Sequence, residues 1–249
     1  METNKKILAI IPARSGSKGI PNKNITDFGG HPLLAYSIAT ARLSKLINRI
    51  IISTDKQEYA EIAKKYKCEA PFLRPKEYAE DLSLDKEFFK HALNWLEKNE
   101  NYVPDLIVHL RPTVPLRQAE LIDKMILEML DNEKATSLRT GHIHKKPGHK
   151  LFKKKGDYIE FFGKEDFQQN EEYYDYPRQD LPITYTSNGY VDIIKPEILK
   201  QTGQLHGSRI KLFVIEEVDD IDSLEDLKSV ASKLNNKKYK PLLNLLNKI

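Results

Sequence analysis

The sequence predicts a doubly wound, mostly parallel α/β sheet, and three observations carry that prediction. Apolar runs of strand length recur through the first half of the chain, they are continuous rather than alternating, and helical patterns separate them. Continuous apolar runs belong to strands covered on both faces. Strands spaced by helices of about 10–15 residues favour parallel βαβ units, whose ligands sit outside the carboxyl ends of the strands.

Taken in order, the first strand falls at residues 7–11, a helix at 33–45, a strand at 49–53 and a helix at 57–67. A short strand at 70–73, a helix at 84–98, a strand at 105–110 and an amphipathic helix after Arg117 continue the series. From about residue 139 to 183 the pattern gives way to a basic, aromatic segment containing His142, His144, His149, Tyr173, Tyr174 and Tyr176. Irregular segments of that length inside a domain carry function or an interface. We therefore expect one domain over 1–249 with an inserted subdomain at about 139–183. The histidines read as solvated loop residues. Strands at 189–194 and 211–215 follow, then a helix opened by the capping-box variant Ser223-Leu-Glu-Asp226. The leucines of the basic tail, residues 237–249, have helical spacing and should dock on the core or a partner.

Composition narrows the function. Among 249 residues, 40% are hydrophobic and 31% charged, as in an ordinary globular protein. A net charge of +4 does not call for nucleic acid, though it suits an anionic small molecule. The single cysteine, Cys68, excludes an intramolecular disulfide framework and a multi-cysteine zinc site. No apolar run approaches the roughly 20 residues that span a bilayer, so we expect a cytoplasmic chain with no membrane segment.

Chemistry concentrates in two places. After the first strand comes Pro12-Ala-Arg-Ser-Gly-Ser-Lys-Gly-Ile-Pro-Asn-Lys-Asn24. Its glycines, Gly16 and Gly19, let backbone N–H groups turn toward an anion, and Arg14, Lys18 and Lys23 can neutralise a polyphosphate. It is neither a Walker A loop nor Gly-x-Gly-x-x-Gly, so a P-loop or dinucleotide site is disfavoured. Far along the chain, Asp220 and Asp222 stand two apart just ahead of a helix, a spacing that suits Mg²⁺ as well as a helix N-terminus.

These two motifs, with Ser53-Thr-Asp55, Leu110-Arg-Pro-Thr-Val-Pro-Leu-Arg117, Pro177-Arg-Gln-Asp-Leu-Pro182 and Ser187-Asn-Gly189, occur in the order seen in the acylneuraminate cytidylyltransferases. The chain resembles that family over essentially its whole length. The resemblance implies a nucleotide-diphospho-sugar transferase-like Rossmann variant with a small dimerisation arm. It implies a Mg²⁺-dependent homodimer that couples CTP to a sialic- or legionaminic-like 2-keto sugar acid, releasing pyrophosphate, for surface glycan synthesis. Arg14, Ser15, Gly16, Lys23 and Asn24 would contact the nucleotide phosphates and Arg74 the base. Asp220 and Asp222 would hold the metal, with Arg14 and Lys23 sharing the catalytic work. Arg178 would bind the sugar carboxylate, and Arg111 and Asn188 would face the sugar.

Three positions qualify the resemblance. Arg111 replaces the family's usual glutamine, which adds a cation and would suit a more anionic acceptor. The segment Asp81-Leu-Ser-Leu-Asp85 carries fewer hydroxyls than the family pattern. Gly19 stands where pseudaminic acid enzymes tend to have arginine, a lean toward the sialic or legionaminic type. The alternatives are the same fold acting on a sugar phosphate with CTP or another nucleotide, and a non-catalytic nucleotide-binding paralogue. Arg117 has the plainer reading of a first-turn surface residue.

Overall fold

The computed structural model describes residues 4–168 and 171–249; residues 1–3 and positions 169 and 170 of the predicted insert lie outside the described residues. The chain divides into two compact units, the first comprising residues 1–140, 189–213 and 218–249, the second residues 141–188 and 214–217.

The first unit begins with β1 (Ile7–Pro12), a short antiparallel pair β2 (Asp27–Phe28) and β3 (His31–Pro32), and helix α1 (Leu33–Leu43). Then come β4 (Arg49–Ser53), α2 (Gln57–Lys65), α3 (Asp85–Glu100), β5 (Leu106–His109) and α4 (Ala119–Leu130). The predicted strand at 70–73 is absent. Only an isolated bridge from Ile51 to Glu69 forms there, because Pro71 has no N–H to give a ladder. A strand that the sequence pattern did not reveal, β6 (Ser137–Ile143), starts at the predicted edge of the insert.

In the second unit, β7 (Phe152–Lys155) and β8 (Tyr158–Phe161) form an antiparallel hairpin whose turn uses Gly156 at φ 63°. The three histidines do not all stand in solvent. His149 is buried with Nε2 2.7 Å from Asp166 Oδ2, edge-on to Phe167 and Tyr173, while His144 Nδ1 lies 2.7 Å from Thr186 Oγ1. Tyr173 stacks on Phe167 and Tyr174 on Phe161, so an aromatic core rather than a loop organises this unit.

The chain continues through β9 (Tyr185–Ile194), α5 (Pro196–Thr202), β10 (Ile210–Val214), α6 (Leu224–Ala231) and α7 (Lys240–Leu246). The main sheet has the order β10-β6-β9-β5-β1-β4. Strands β4, β1 and β5 are parallel neighbours, whereas β9 pairs antiparallel with β5, placing Asp192 opposite His109.

Helices cover both faces. Leu8, Ile10, Ile51 and Ile107 pack with Phe88, Phe89, Leu93 and Leu96 of α3 and Leu199 of α5. Their strand neighbours Ile7, Ala9 and Ile11 are equally buried, which is why β1 reads as an unbroken apolar run. A second cluster joins α1 to the tail, where Leu242 and Leu246 of α7 meet Phe28, Leu33 and Tyr36. The tail therefore docks on its own core. Burying each such side chain contributes about 1.5–3 kcal/mol. Among the described residues, no helix is long and apolar enough to cross a membrane.

Candidate active site

The carboxyl ends of β1 and β5 open onto a cavity of about 530 Å³ within the first unit, lined among others by Arg14, Lys23, Arg74, Asp85, Arg111 and Asp222. The loop after β1 forms one wall. Its path is fixed by Ser15, whose N–H and Oγ donate to the two oxygens of Asp55 at 2.7 and 2.5 Å, and by Asn24, whose Nδ2 donates to Arg14 O at 2.9 Å. Asn22 takes the left-handed region at φ 54° and accepts from Tyr59 Oη at 3.1 Å, turning the chain so that Lys23 points back at the cavity.

Lys23 ties this loop to the acidic segment 198 residues later, donating to Ile221 O and Asp222 Oδ1, both at 2.8 Å. Ile221 is fully buried in the core and its N–H donates to Thr113 O, so the flanking carboxylates of Asp220 and Asp222 are left on the exposed side. Just beyond, Ser223 caps α6 by accepting from Asp226 N–H, and the Asp226 carboxylate accepts from Ser223 N–H, the reciprocal box expected from sequence. Gly19 closes the contact from the other side: a Cβ there would lie 2.3 Å from the carbonyl oxygen of Asp222. Its smallness is thus required by the approach of the phosphate loop to the acidic segment.

The donor set fits a hard divalent cation. Asp222 offers its second oxygen and Asp220 an exposed carboxylate, and Mg²⁺ is held by one or two carboxylates together with phosphate oxygens and water. Of the expected residues, Arg14, Lys23, Asn24, Arg74, Arg111 and Asp222 surround the one cavity. Ser15 and Gly16 line an adjoining recess that shares Arg14, and Asp220 lies outside the cavity wall. Arg178, exposed on a short 3-10 turn, and Asn188, buried on β9, belong to the second unit.

Arg74 is buried with its guanidinium over Phe88, donating to Ser53 Oγ at 3.0 Å and Ser53 O at 2.5 Å. Burial lowers it to about 10. The segment after it lines the cavity through Ser83 and Asp85, while Asp81 bridges Arg14 and Lys18 at 2.9 and 2.7 Å.

The two arginines of the turn after β5 behave differently from the sequence reading. Arg117 is no surface residue; its side chain is among the largest fully buried. It donates to Tyr190 O at 2.5 Å, Ser37 Oγ at 3.0 Å and Arg111 O at 2.9 Å, pinning the turn to α1 and β9. Desolvation pulls it down to about 9. Arg111 lines the cavity but is not an added free cation: its Nη1 donates to Asp192 at 2.8 Å and its Nη2 to Asp85 at 3.1 Å.

Asp192 also accepts from Arg139 Nε at 3.0 Å, and His109 Nδ1 stands 3.8 Å away, beyond hydrogen-bond range. Burial opposes the Asp192 charge, yet the guanidiniums of Arg111 and Arg139 hold it well below the usual carboxylate range. His109 and Asp192 were not singled out in the sequence, and Asp85 entered only as the end of the segment 81–85. The signal was there: His109 and Asp192 each interrupt an otherwise apolar strand, and they are register partners.

A strand-end loop of cations facing carboxylates across an open cleft, on a sheet wound with helices on both faces, is the arrangement of an α/β nucleotidyltransferase. The family model described as Cytidylyltransferase matches residues 8–239, and the chain belongs to that family. It is 28% identical over 235 residues to a pseudaminic acid cytidylyltransferase of Campylobacter jejuni subsp. jejuni serotype O:23/36, covering 93% of this chain and 98% of the relative. A CMP-N,N'-diacetyllegionaminic acid synthase of Campylobacter jejuni subsp. jejuni serotype O:2 is 30% identical over 238 residues, covering 95% and 98%. A solved CMP:2-keto-3-deoxy-manno-octonic acid synthetase complexed with CTP matches with TM-score 0.67 over 92% of this chain and 98% of that one. At 15% identity this last likeness is one of fold.

Proposed function

We propose that this nucleotidyltransferase transfers CMP from CTP to the anomeric hydroxyl of a nonulosonic 2-keto sugar acid, of sialic or legionaminic kind, for surface glycan synthesis. The observation that carries the reading is the Lys23 contact to Asp222, which joins the cationic loop to the acidic segment at the mouth of one cavity. The names of the relatives, pseudaminic and legionaminic, support the acceptor class.

In the proposed step the anomeric oxygen bonds to the α-phosphorus, the bond from that phosphorus to the bridging oxygen breaks, and pyrophosphate leaves. The hydroxyl proton passes to solvent. Arg14 and Lys23 neutralise the phosphates and hold the anhydride in line, which is most of what phosphoryl transfer requires of a protein. Asp220 and Asp222 would hold Mg²⁺, which when bound supplies further charge neutralisation at the phosphates. Arg178 is assigned to the sugar carboxylate, a planar fork suited to a bidentate contact, with Asn188 also on the sugar side. Arg74 is placed beside the base. The reading includes a cytoplasmic homodimer using the second unit, whose Phe152, Tyr158, Ile159 and Phe162 expose apolar surface.

The sugar-phosphate alternative drew its support from Arg111 as an extra cation, and the pairing of Arg111 with Asp85 and Asp192 removes that support. Pyrophosphate release measured with each nucleoside triphosphate against sugar acids and sugar phosphates tests the proposal. Turnover is expected with CTP and a keto acid. Turnover with sugar phosphates alone would refute it, and none with any pair would favour a binding-only protein.

A further inference from the structure

A charged row crosses the end of the sheet beside the cavity. Arg139 on β6, Asp192 on β9 and His109 on β5 stand on successive neighbouring strands, and Arg111 follows β5 by two residues. Asp85, the first residue of α3, completes it from above the sheet. Two guanidiniums meet two carboxylates: Asp192 bonds both arginines, and Asp85 takes the second amino group of Arg111. The Asp192 side chain is 2% exposed and that of Asp85 45%, so one carboxylate anchors from behind while the other stands in the cavity wall. His206 is near enough to the row to feel all four charges, and burial lowers both it and His109, which leaves the imidazoles neutral around neutral pH.

We propose that Asp85 and Asp192 are positioning residues that hold and neutralise Arg111, so that this end of the cavity accepts an uncharged, hydroxyl- or acylamino-bearing part of the acceptor and rejects a second anionic group. The inference rests on the function proposed above and assigns selectivity within it. Two of the five N–H groups of Arg111 are committed to carboxylates, which fixes the guanidinium and leaves donors suited to neutral oxygens. An additional phosphate or carboxylate brought against Arg111 would lose its hydration and meet a guanidinium whose charge the two carboxylates already balance, a costly exchange.

The test compares a monoanionic sugar acid with the same acid carrying one further phosphate, using kcat/KM with CTP in excess. Asp85→Asn leaves Arg111 with one uncompensated charge, and the ratio of phosphorylated to plain acid should rise by about fivefold, the scale of one half-exposed charge interaction. The change should appear in the acceptor KM. Asp85→Glu, which keeps the carboxylate, should leave the ratio near its original value, a result that a merely structural role for Asp85 would not produce. Asp192→Asn should shift the ratio in the same direction as Asp85→Asn, and a melting curve shows whether that buried variant folds; if it does not, the two Asp85 variants decide alone. An unshifted ratio in Asp85→Asn, or an equal shift in Asp85→Glu, overturns the inference. Failure of the unmodified protein to turn over either acid refutes the proposed function instead.

Discussion

At the scale of single residues, the turn after β5 shows why residue type alone misleads. Two arginines six apart look alike in sequence, yet one is a buried clamp on backbone carbonyls and the other a compensated cation at the cavity wall. Arg117→Ala should cost about 3 kcal/mol in urea denaturation, because it leaves a large void and strips several buried carbonyls of their donor. Asp192 makes stability depend on acid. Its native pKa lies below the unfolded value of about 3.9, so its contribution is complete above that value and is lost as pH falls through it toward the native one. Melting temperatures followed from neutral pH into that acid range should fall more steeply for the unmodified chain than for Asp192→Asn, whose baseline is already lower. Parallel curves would show that Asp192 carries no linkage.

Among the elements, the loop after β1 and the segment before α6 depend on each other. Gly19 has room for hydrogen only, so Gly19→Ala must push the loop off Asp222; kcat should drop about 10- to 100-fold, as for small displacements of reacting groups. Circular dichroism should stay native, and an unchanged kcat would show that the contact has no role. Ser223→Ala removes the side chain that caps α6 and should lower stability by about 1 kcal/mol. The loop, the acidic pair and the cap were all legible in the sequence, since each is local: glycine spacing, an i, i+2 carboxylate pair and a serine three residues before aspartate. The Gly19 contact was not legible, because it joins residues about two hundred positions apart. In the sequence Gly19 bears on sugar type; the fold adds that it packs the loop against Asp222.

For the whole molecule, unbroken apolar runs announced strands covered on both faces, and the sheet carries α1 against one side and α3 and α5 against the other. The strand expected at 189–194 is β9, but its start at Tyr185 and its antiparallel pairing with β5 were hidden by Gly189 and the polar residues before it, and β6 was hidden because its own polar residues break the apolar signal. The second unit was visible only as an irregular stretch. Its aromatic stacking depends on pairings that no period in the sequence encodes. Roles divided over the molecule make a kinetic prediction: Arg178→Ala should raise KM for the sugar acid, whereas Asp222→Ala should chiefly lower kcat. Equal, small effects from both would contradict the assignment.

The central claim, that the cationic loop and the acidic segment serve CMP transfer to a sugar acid, is tested most directly by mass spectrometry of the product formed from CTP and a sialic- or legionaminic-type acid. The account predicts a species with the mass of the acid plus CMP less one water, formed in step with pyrophosphate and lost in Lys23→Ala. A diphosphate-linked product, or CMP-sugar formed at an undiminished rate by Lys23→Ala, would contradict it.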